Sequence, residues 1–465
     1  MGAISQVEEA ATIEQSISQS ELRRNILRMV WPATIEAVLQ MLVGIVATGM
    51  VGRIGAEAVA AVGLSSRITQ IIWAIFSAIG TGTTVLIARA IGSRNLAAAQ
   101  RTARQALLLG SSLVIALTVA IWILAEPILA TLFDPEPELL QSAYVFLRLA
   151  VWGMPFMAVM QVVGAILRGL GNTRTPMLVA FVVNVLNVIL NFILIYGFLG
   201  VPPLGMQGAA LSMCLSQMIG AVLALYVLTR PTLSIGLRLR QRWQVDLAEI
   251  KRILVVGVPA ALESLFWQAA TIILMGLIVE FGTDALAAHQ LGLNAESLSY
   301  MPMAGFGIAV TAFVGQSLGA RDRVLAERYV REISKWGIAL TCVTGGALIV
   351  FPTQILSQLT KEPEVIRLGA IYLRMMGWVQ LPQLISGILN GALRGAGDTR
   401  APMFIGGLGL WGIRLPLSFV FSKGLGMGIV GVWLAMVIDL VVRFLLSAWR
   451  YRQGKWKENT ALDAA

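Results

Sequence analysis

The stretch Leu167-Arg-Gly-Leu-Gly-Asn-Thr-Arg-Thr-Pro-Met177 returns 226 positions later as Leu393-Arg-Gly-Ala-Gly-Asp-Thr-Arg-Ala-Pro-Met403. Three further pairs keep the same order. Trp31-Pro-Ala-Thr-Ile-Glu36 parallels Val258-Pro-Ala-Ala-Leu-Glu263. Gly55-Ala-Glu-Ala-Val-Ala-Ala61 parallels Gly282-Thr-Asp-Ala-Leu-Ala-Ala288, and Ile91-Gly-Ser-Arg94 parallels Leu318-Gly-Ala-Arg321. Each of these three pairs is 227 positions apart. Constant spacing over four motifs means that the chain is an internal duplication.

Long apolar runs fill the space between the repeated motifs. The 465 residues are 57% hydrophobic and 13% charged, with a mean hydropathy of +0.78. Soluble proteins carry roughly 25% charged residues, so this chain lacks the polar surface to cover a water-facing globule. The runs are continuous and about 20 residues or longer, which fits helices crossing a hydrocarbon core and not alternating barrel strands. Spans are expected near 26–51, 62–90, 104–125, 138–165, 177–199 and 206–229, then 253–279, 290–317, 333–351, 365–391, 402–421 and 427–449. The fold class is an all-α polytopic membrane protein of about twelve helices. A polar tail at 1–21, a lobe at 22–230, a linker at 231–250, a second lobe at 251–452 and a tail at 453–465 follow. Six spans per half is an even number, so both halves enter the membrane from one side. Parallel repeats of this kind enclose a central cavity at their interface.

The net charge of +10 does not indicate nucleic acid, because its placement alternates with the spans. Arg23, Arg24 and Arg28 precede the first span. Arg94, Arg101 and Arg104 lie in the second connection, Arg168 and Arg174 in the fourth, Arg238, Arg240, Arg242, Lys251 and Arg252 in the sixth. Arg321, Arg323, Arg328 and Arg331 lie in the eighth, Arg394 and Arg400 in the tenth, and Arg450, Arg452, Lys455 and Lys457 follow the last span. The odd connections carry acids instead, with Asp134, Glu136 and Glu138 in the third and Glu280 and Asp284 in the seventh. The positive-inside rule then puts both termini in the cytoplasm of a multi-pass plasma (inner) membrane protein. Cys214 and Cys342 sit within apolar spans, which argues against a disulfide framework. Residues 1–21 lack the apolar core of a signal peptide.

No phosphate-binding G-x-x-x-x-G-K-[ST] loop and no H-E-x-x-H zinc motif occurs, so uphill transport by this chain alone would need an ion gradient. Ionisable groups at membrane depth are costly and mark function. Glu36 and Glu263 occupy equivalent positions four residues after Pro32 and Pro259. A carboxyl removed from water binds a proton more readily, which suits a loading and release site. Glu296, in Asn294-Ala-Glu-Ser-Leu-Ser299, is a third candidate. Asp439 is a candidate substrate-cavity residue or, with Arg443 one turn on and Arg414 in the preceding span, part of a buried ion pair. His289 reads as an interfacial hydrogen-bonder. Gln40, Gln161, Asn184, Asn187, Asn191 and Gln217 either line a polar cavity or join helices to one another. The Arg-Gly-x-Gly-(Asn/Asp)-Thr-Arg-x-Pro segments read as cytoplasmic turns whose arginines meet anionic headgroups.

With these residues in view, residues 26–450 resemble the multidrug and toxic compound extrusion (MATE) family. The resemblance rests on Val51-Gly-Arg-Ile-Gly-Ala-Glu-Ala-Val-Ala-Ala-Val-Gly-Leu64, on Leu167–Met177 with its repeat Leu393–Met403, and on Gly315-Gln-Ser-Leu-Gly-Ala-Arg321. Phe281–Gln290 and Glu296–Pro302 are similar to the prokaryotic DinF-like and related branches. The resemblance implies two lobes, alternating access, and export of cationic amphiphilic compounds against inward H⁺ or Na⁺. Glu263 matches a seventh-span glutamate of several branches, and Asn187 and Asn191 match polar fifth-span positions. One departure stands out. The first-span motif reads Val46-Ala-Thr-Gly-Met-Val-Gly52, with Ala47 where the family places a cation-coupling aspartate. Alanine binds no proton, so coupling moves to Glu263, Glu36 or Glu296, with H⁺ favoured over Na⁺. No cofactor is implied. The expected partners are small cationic or amphiphilic substrates and membrane lipids, and the expected state is a monomer.

A lipid-linked-precursor flippase would need a strongly cationic cavity, whereas intramembrane acids outnumber arginines on this reading of the spans. A major-facilitator transporter would carry G-x-x-x-D-[RK]-x-G-[RK] after span two, where Ile91-Gly-Ser-Arg-Asn-Leu-Ala-Ala98 stands. A channel or receptor would show a selectivity loop or a soluble domain, and neither is read here.

Overall fold

The computed structural model describes residues 17–133, 136–198, 200, 202–230, 236 and 244–458. Asp134, the linker arginines Arg238, Arg240 and Arg242, and the distal parts of both expected tails lie outside the described residues. Among the described residues all regular structure is helical.

Eleven helices among the described residues are long and apolar enough to cross a membrane. In the first half they are Gln19–Gly52, Ala56–Gly92, Leu96–Phe133, a fourth formed by Pro137–Ala150 and Met154–Gly169 joined through a 3-10 turn, Arg174–Tyr196 and Gly205–Thr229. In the second half they are Leu247–Val279, Thr283–Gly319, Arg323–Val350, Arg400–Gly424 and Ile429–Arg452. The tenth helix, Pro363–Gly395, completes the repeat, since its ends stand 226 positions after Pro137 and Gly169. It is too polar to qualify by composition, and the reason is its location. Gln380 is fully buried, and Gln383 and Asn390 also turn toward protein.

The helices extend past the expected spans. The first begins at Gln19, capped by Ser18 and Glu21 in a reciprocal capping box, and the seventh begins at Leu247, capped by Asp246. The second and eighth connections are therefore short turns, and Arg101, Arg104, Arg328 and Arg331 lie on helices. Arg94 and Arg321 occupy the left-handed region, at φ 58° and 61°, at equivalent positions. In each turn the arginine N–H reaches back to Ile91 or Leu318, and the next N–H reaches Ala90 or Ser317, at 2.8–3.0 Å. That is the Schellman closure, made without the usual glycine at a cost of roughly 1–2 kcal/mol per turn.

The two lobes interpenetrate on the side that carries the termini. Leu22, Ile26, Met29 and Val30 of the first helix pack into the core of the second lobe with Phe306, Val310 and Ile333. Ile253 and Val256 of the seventh helix pack into the core of the first lobe. Backbones meet directly here. A Cβ on Gly92 would stand 1.9 Å from Gln316 O, and a Cβ on Gly319 would stand 2.2 Å from Arg89 O. These two contacts are related by the repeat. On the opposite side the lobes touch through side chains, with Gln268 Nε2 3.5 Å from Gln70 Oε1 and Ser297 Oγ 3.2 Å from Met41 Sδ.

A crossed pair of polar contacts reinforces the terminus-side seal. Glu332 of the ninth helix accepts from Arg23 Nε at 2.8 Å and from Gln19 Nε2 at 3.3 Å, both on the first helix. At the equivalent place in the other lobe, Gln105 of the third helix donates to Gln244 O at 2.7 Å and accepts from Asp246 N at 3.1 Å. Thr102, one turn away, donates to Glu249. Each lobe's third helix thus grips the start of the other lobe's first helix.

Candidate functional site

A cavity of about 440 Å³ lies between the lobes beyond this seal. Phe76 and Thr84 of the second helix line it; at 1.5 Å per residue they stand about 24 Å and 12 Å from the helix end at Gly92. Tyr300 and Thr311 of the eighth helix face it at similar depth. Its charged lining residues are Arg168 and Arg394, the equivalent arginines at the ends of helices four and ten. They do not reach toward headgroups, as the turn motif suggested. Each folds back along its helix to a glutamate at membrane depth.

Arg394 Nη2 donates to Glu263 Oε2 at 2.6 Å, and Arg168 Nη1 stands 3.6 Å from Glu36 Oε1. The two candidate glutamates and the two motif arginines thus form one pair per lobe. Both pairs are mostly shielded, with side chains 14–30% exposed. The second is a charge-assisted hydrogen bond; the first is an ionic contact without one. Two adjoining pockets extend the cavity. One holds Glu263, Arg394, Arg443, Trp73 and Trp267. The other holds Glu36, Arg168, Gln40, Asn184, Trp73 and Gln217, and it shares Gln161 with the central cavity. Hydroxyls, amides and indole faces beside paired charges suit an amphiphilic solute.

Of the remaining candidates, Asn187 joins the fifth helix to the sixth, and Asn191 bonds to Asn187 along its own helix. Asn187 Nδ2 donates to Ser216 Oγ at 3.3 Å, and Asn191 Nδ2 donates to Asn187 Oδ1 at 3.1 Å. Asn184 Nδ2 is buried beside the first-lobe pocket with no protein acceptor. Glu296 is buried inside the second lobe and lines none of these three pockets. It accepts from Tyr372 Oη at 2.5 Å and from Gln380 Nε2 at 2.9 Å. His289 is buried nearby, where its Nδ1 accepts from Trp433 Nε1 at 3.2 Å, so it is no interfacial group. Asp439 is fully buried and its Oδ2 takes both Arg414, at 2.8 Å, and Arg443, at 2.6 Å. A π-helical stretch, Leu408–Arg414, carries Arg414 to it, and Gly409 leaves room for Asp439 Oδ1.

This inventory corrects one step of the sequence reading. Acids at depth do not outnumber arginines. Glu36, Glu263 and Asp439 are paired with four guanidinium groups, Arg168, Arg394, Arg414 and Arg443, Glu296 accepts from Tyr372 and Gln380 instead, and Arg67, Arg148 and Arg374 lie within the spans as well. Hydropathy had placed Arg168 and Arg394 in loops. The matching offsets of the glutamates and the arginines were the available signal that they belong together.

Comparison with known proteins agrees with this architecture. The MatE family profile matches residues 32–193 and again 259–420, two segments 227 positions apart. A probable multidrug resistance protein NorM of Thermotoga maritima is 32% identical over 447 residues, 95% of each chain. A probable multidrug resistance protein NorM of Neisseria meningitidis serogroup B is 30% identical, over 90% of this chain and 91% of that one. A crystal structure of a MATE protein in the bent conformation superposes with a TM-score of 0.87 at 23% identity, covering 95% of this chain and 97% of the other. Two matched segments with the same offset as the paired glutamates, on a fold of this kind, leave one assignment: the chain belongs to the MatE family of multi-pass membrane transporters.

Proposed function

We propose that this transporter is an antiporter that exports positively charged amphiphilic organic compounds by alternating access, driven by H⁺ rather than Na⁺. The names of the NorM relatives support a multidrug role. The observation that carries the mechanism is the Glu–Arg pair in each lobe beside the inter-lobe cavity. A carboxylate has three possible partners here: the guanidinium, a proton, or the ammonium of a bound compound. Proton and cargo compete for one group, and that exclusion is the condition for exchange. Sodium fits less well. It needs several converging oxygens, and a guanidinium beside each glutamate repels it.

The same pairs can report on access. Protonating Glu263 or Glu36 releases Arg394 or Arg168, and both arginines sit on helix ends next to the seal. With the termini cytoplasmic, as the loop charges imply, the sealed side faces the cytoplasm. Dye efflux from proteoliposomes, with pH and sodium gradients imposed separately, tests this. Flux should follow the pH gradient. Flux that follows sodium alone overturns H⁺ coupling.

A further inference from the structure

A groove of about 940 Å³ opens on the flank of the bundle, at the side that carries the termini, where helices one, five and nine meet. It shares no lining residue with the inter-lobe cavity. Arg24, Leu27, Arg28 and Trp31 line it from the first helix, at i, i+3, i+4 and i+7 along one face. Arg174 of the fifth helix and Trp336 of the ninth complete it. Arg23, also at the groove, is committed to Glu332 at 2.8 Å. Arg24, Arg28 and Arg174 are exposed, and none has an ion-pair partner among the described residues. No acid lines the groove among those residues. Trp31 is 65% exposed, and Leu27 and Trp336 are exposed as well. Depth orders these groups. The expected spans of the three helices begin near 26, 177 and 333, so the arginines stand within a few residues of the membrane edge and both indoles just inside it. Guanidinium at headgroup level with indole beneath is the layering of a membrane interface. The duplication supplies a comparison within the chain. At the equivalent positions of the other lobe, Arg23, Arg28, Trp31 and Trp336 give way to Ile250, Val255, Val258 and Leu109, and only Lys251 and Arg400 stand for Arg24 and Arg174. The fold is repeated there, so helix packing does not call for the extra cations and indoles.

We propose that this groove binds a membrane phospholipid with a two-phosphate, net-negative headgroup of the cardiolipin class. Its phosphates lie on Arg24, Arg28 and Arg174, and an acyl chain covers Leu27, Trp31 and Trp336. The physical case joins charge to apolar area. Like charges side by side repel, and an anion between them relieves all three at once. A one-phosphate headgroup brings one negative charge to three guanidinium groups, whereas two phosphates bring two, in oxygens that the planar fork of arginine matches. A soluble phosphate would neutralise the arginines and leave the indoles bare. A lipid covers both, as basic pockets between helices at the headgroup level do. Because Trp336 belongs to the second lobe and the arginines to the first, the bound lipid touches both lobes beside the seal. The site depends on neither the cargo nor the coupling ion.

Native mass spectrometry of the purified full-length chain in detergent tests this, by titration with cardiolipin or with phosphatidylcholine of the same acyl chains. Wild type is expected to hold one cardiolipin at least about tenfold more tightly than phosphatidylcholine. Arg24→Gln with Arg174→Gln should weaken cardiolipin roughly tenfold. Lys251→Gln with Arg400→Gln removes the same charge at the equivalent positions of the other lobe and should leave the affinity unchanged. Equal weakening in the two double variants overturns the proposal, because it leaves only a general attraction to surface charge. Equal affinity of wild type for the two lipids overturns it as well, and that comparison needs no variant to fold. So does displacement of cardiolipin by millimolar pyrophosphate at constant ionic strength, which assigns the arginines to a soluble anion. A cardiolipin preference that appears only after Glu8, Glu9 and Glu14 are changed to Gln gives the groove to the chain's own acidic tail, and also overturns it.

Discussion

Arg394 Nη2 lies 2.6 Å from Glu263 Oε2, across the contact between the tenth and seventh helices. The equivalent contact in the first lobe, Arg168 to Glu36, is 3.6 Å. Duplication has kept the pair and altered its strength. A short charge-assisted hydrogen bond contributes more than an ionic contact at this exposure, by about 1 kcal/mol. Arg394→Gln should therefore lower the melting temperature in detergent more than Arg168→Gln. Equal losses would mean that the two lobes hold their glutamates alike.

The buried Asp439 cluster is structural. One carboxylate serves both Arg414 and Arg443, so Asp439→Asn leaves two shielded guanidinium groups without a counter-charge. A loss of about 3–5 kcal/mol is expected, seen as poor yield and an early melt. Gly409→Ala should move stability the same way, because its Cβ would fall 2.3 Å from Asp439 Oδ1. A normal melt for Asp439→Asn would show that the cluster is dispensable for folding and free for another role.

If the lobes rock between access states, as proposed, the crossed contacts at the terminus side should weigh on their balance. Glu332→Gln removes the negative charge, and one of the two acceptor oxygens, that Arg23, Gln19 and Lys335 share. Gln105→Ala removes the grip on the start of the seventh helix. Each substitution should lengthen spin-label distances across that side, and the two together more than either. Side chains there are half-exposed to buried, so each shift is worth about 1 kcal/mol, or several-fold in population. Unchanged distances in the double variant would show that backbone packing alone holds the seal.

Gly92 and Gly319 supply that packing. Valine at either position cannot fit against a carbonyl 1.9–2.2 Å from its Cβ, so the lobes must part. Gly92→Val should raise thiol labelling of a cysteine at position 89 or 316, which the seal now covers. Gly319→Val should do the same. Labelling at wild-type rates in a folded variant would contradict the close approach.

The duplication made most of this fold legible in the sequence. Apolar runs gave the twelve-helix plan, the tenth helix included, and matching offsets gave the duplication and the equivalence of Glu36 with Glu263. Hydropathy failed at the helix ends for a physical reason. It reads membrane depth, and helices such as Gln19–Gly52 run on beyond it under their own caps. That is why Arg168 and Arg394 read as loop residues, although an arginine near a helix end reaches several ångströms back into the protein. The amides divided in a way that no single sequence could foretell. Gln40, Gln161 and Asn184 face solute space, while Asn187 and Asn191 bond within the bundle, and the difference is one of rotation about a helix. Glu296 read as a coupling candidate beside Glu36 and Glu263, but Tyr372 and Gln380 from another helix enclose it away from the cavity.

The proposed coupling rests on the two glutamates, and one assay reaches them directly. Proteoliposomes are loaded with a fluorescent amphiphile and given a pH gradient, with wild type, Glu36→Gln, Glu263→Gln and the double variant compared at matched protein density. Uphill flux should fall at least about tenfold in Glu263→Gln, fall less in Glu36→Gln, and vanish in the double variant. Gradient-driven flux at the wild-type rate in the double variant would contradict coupling at these carboxylates.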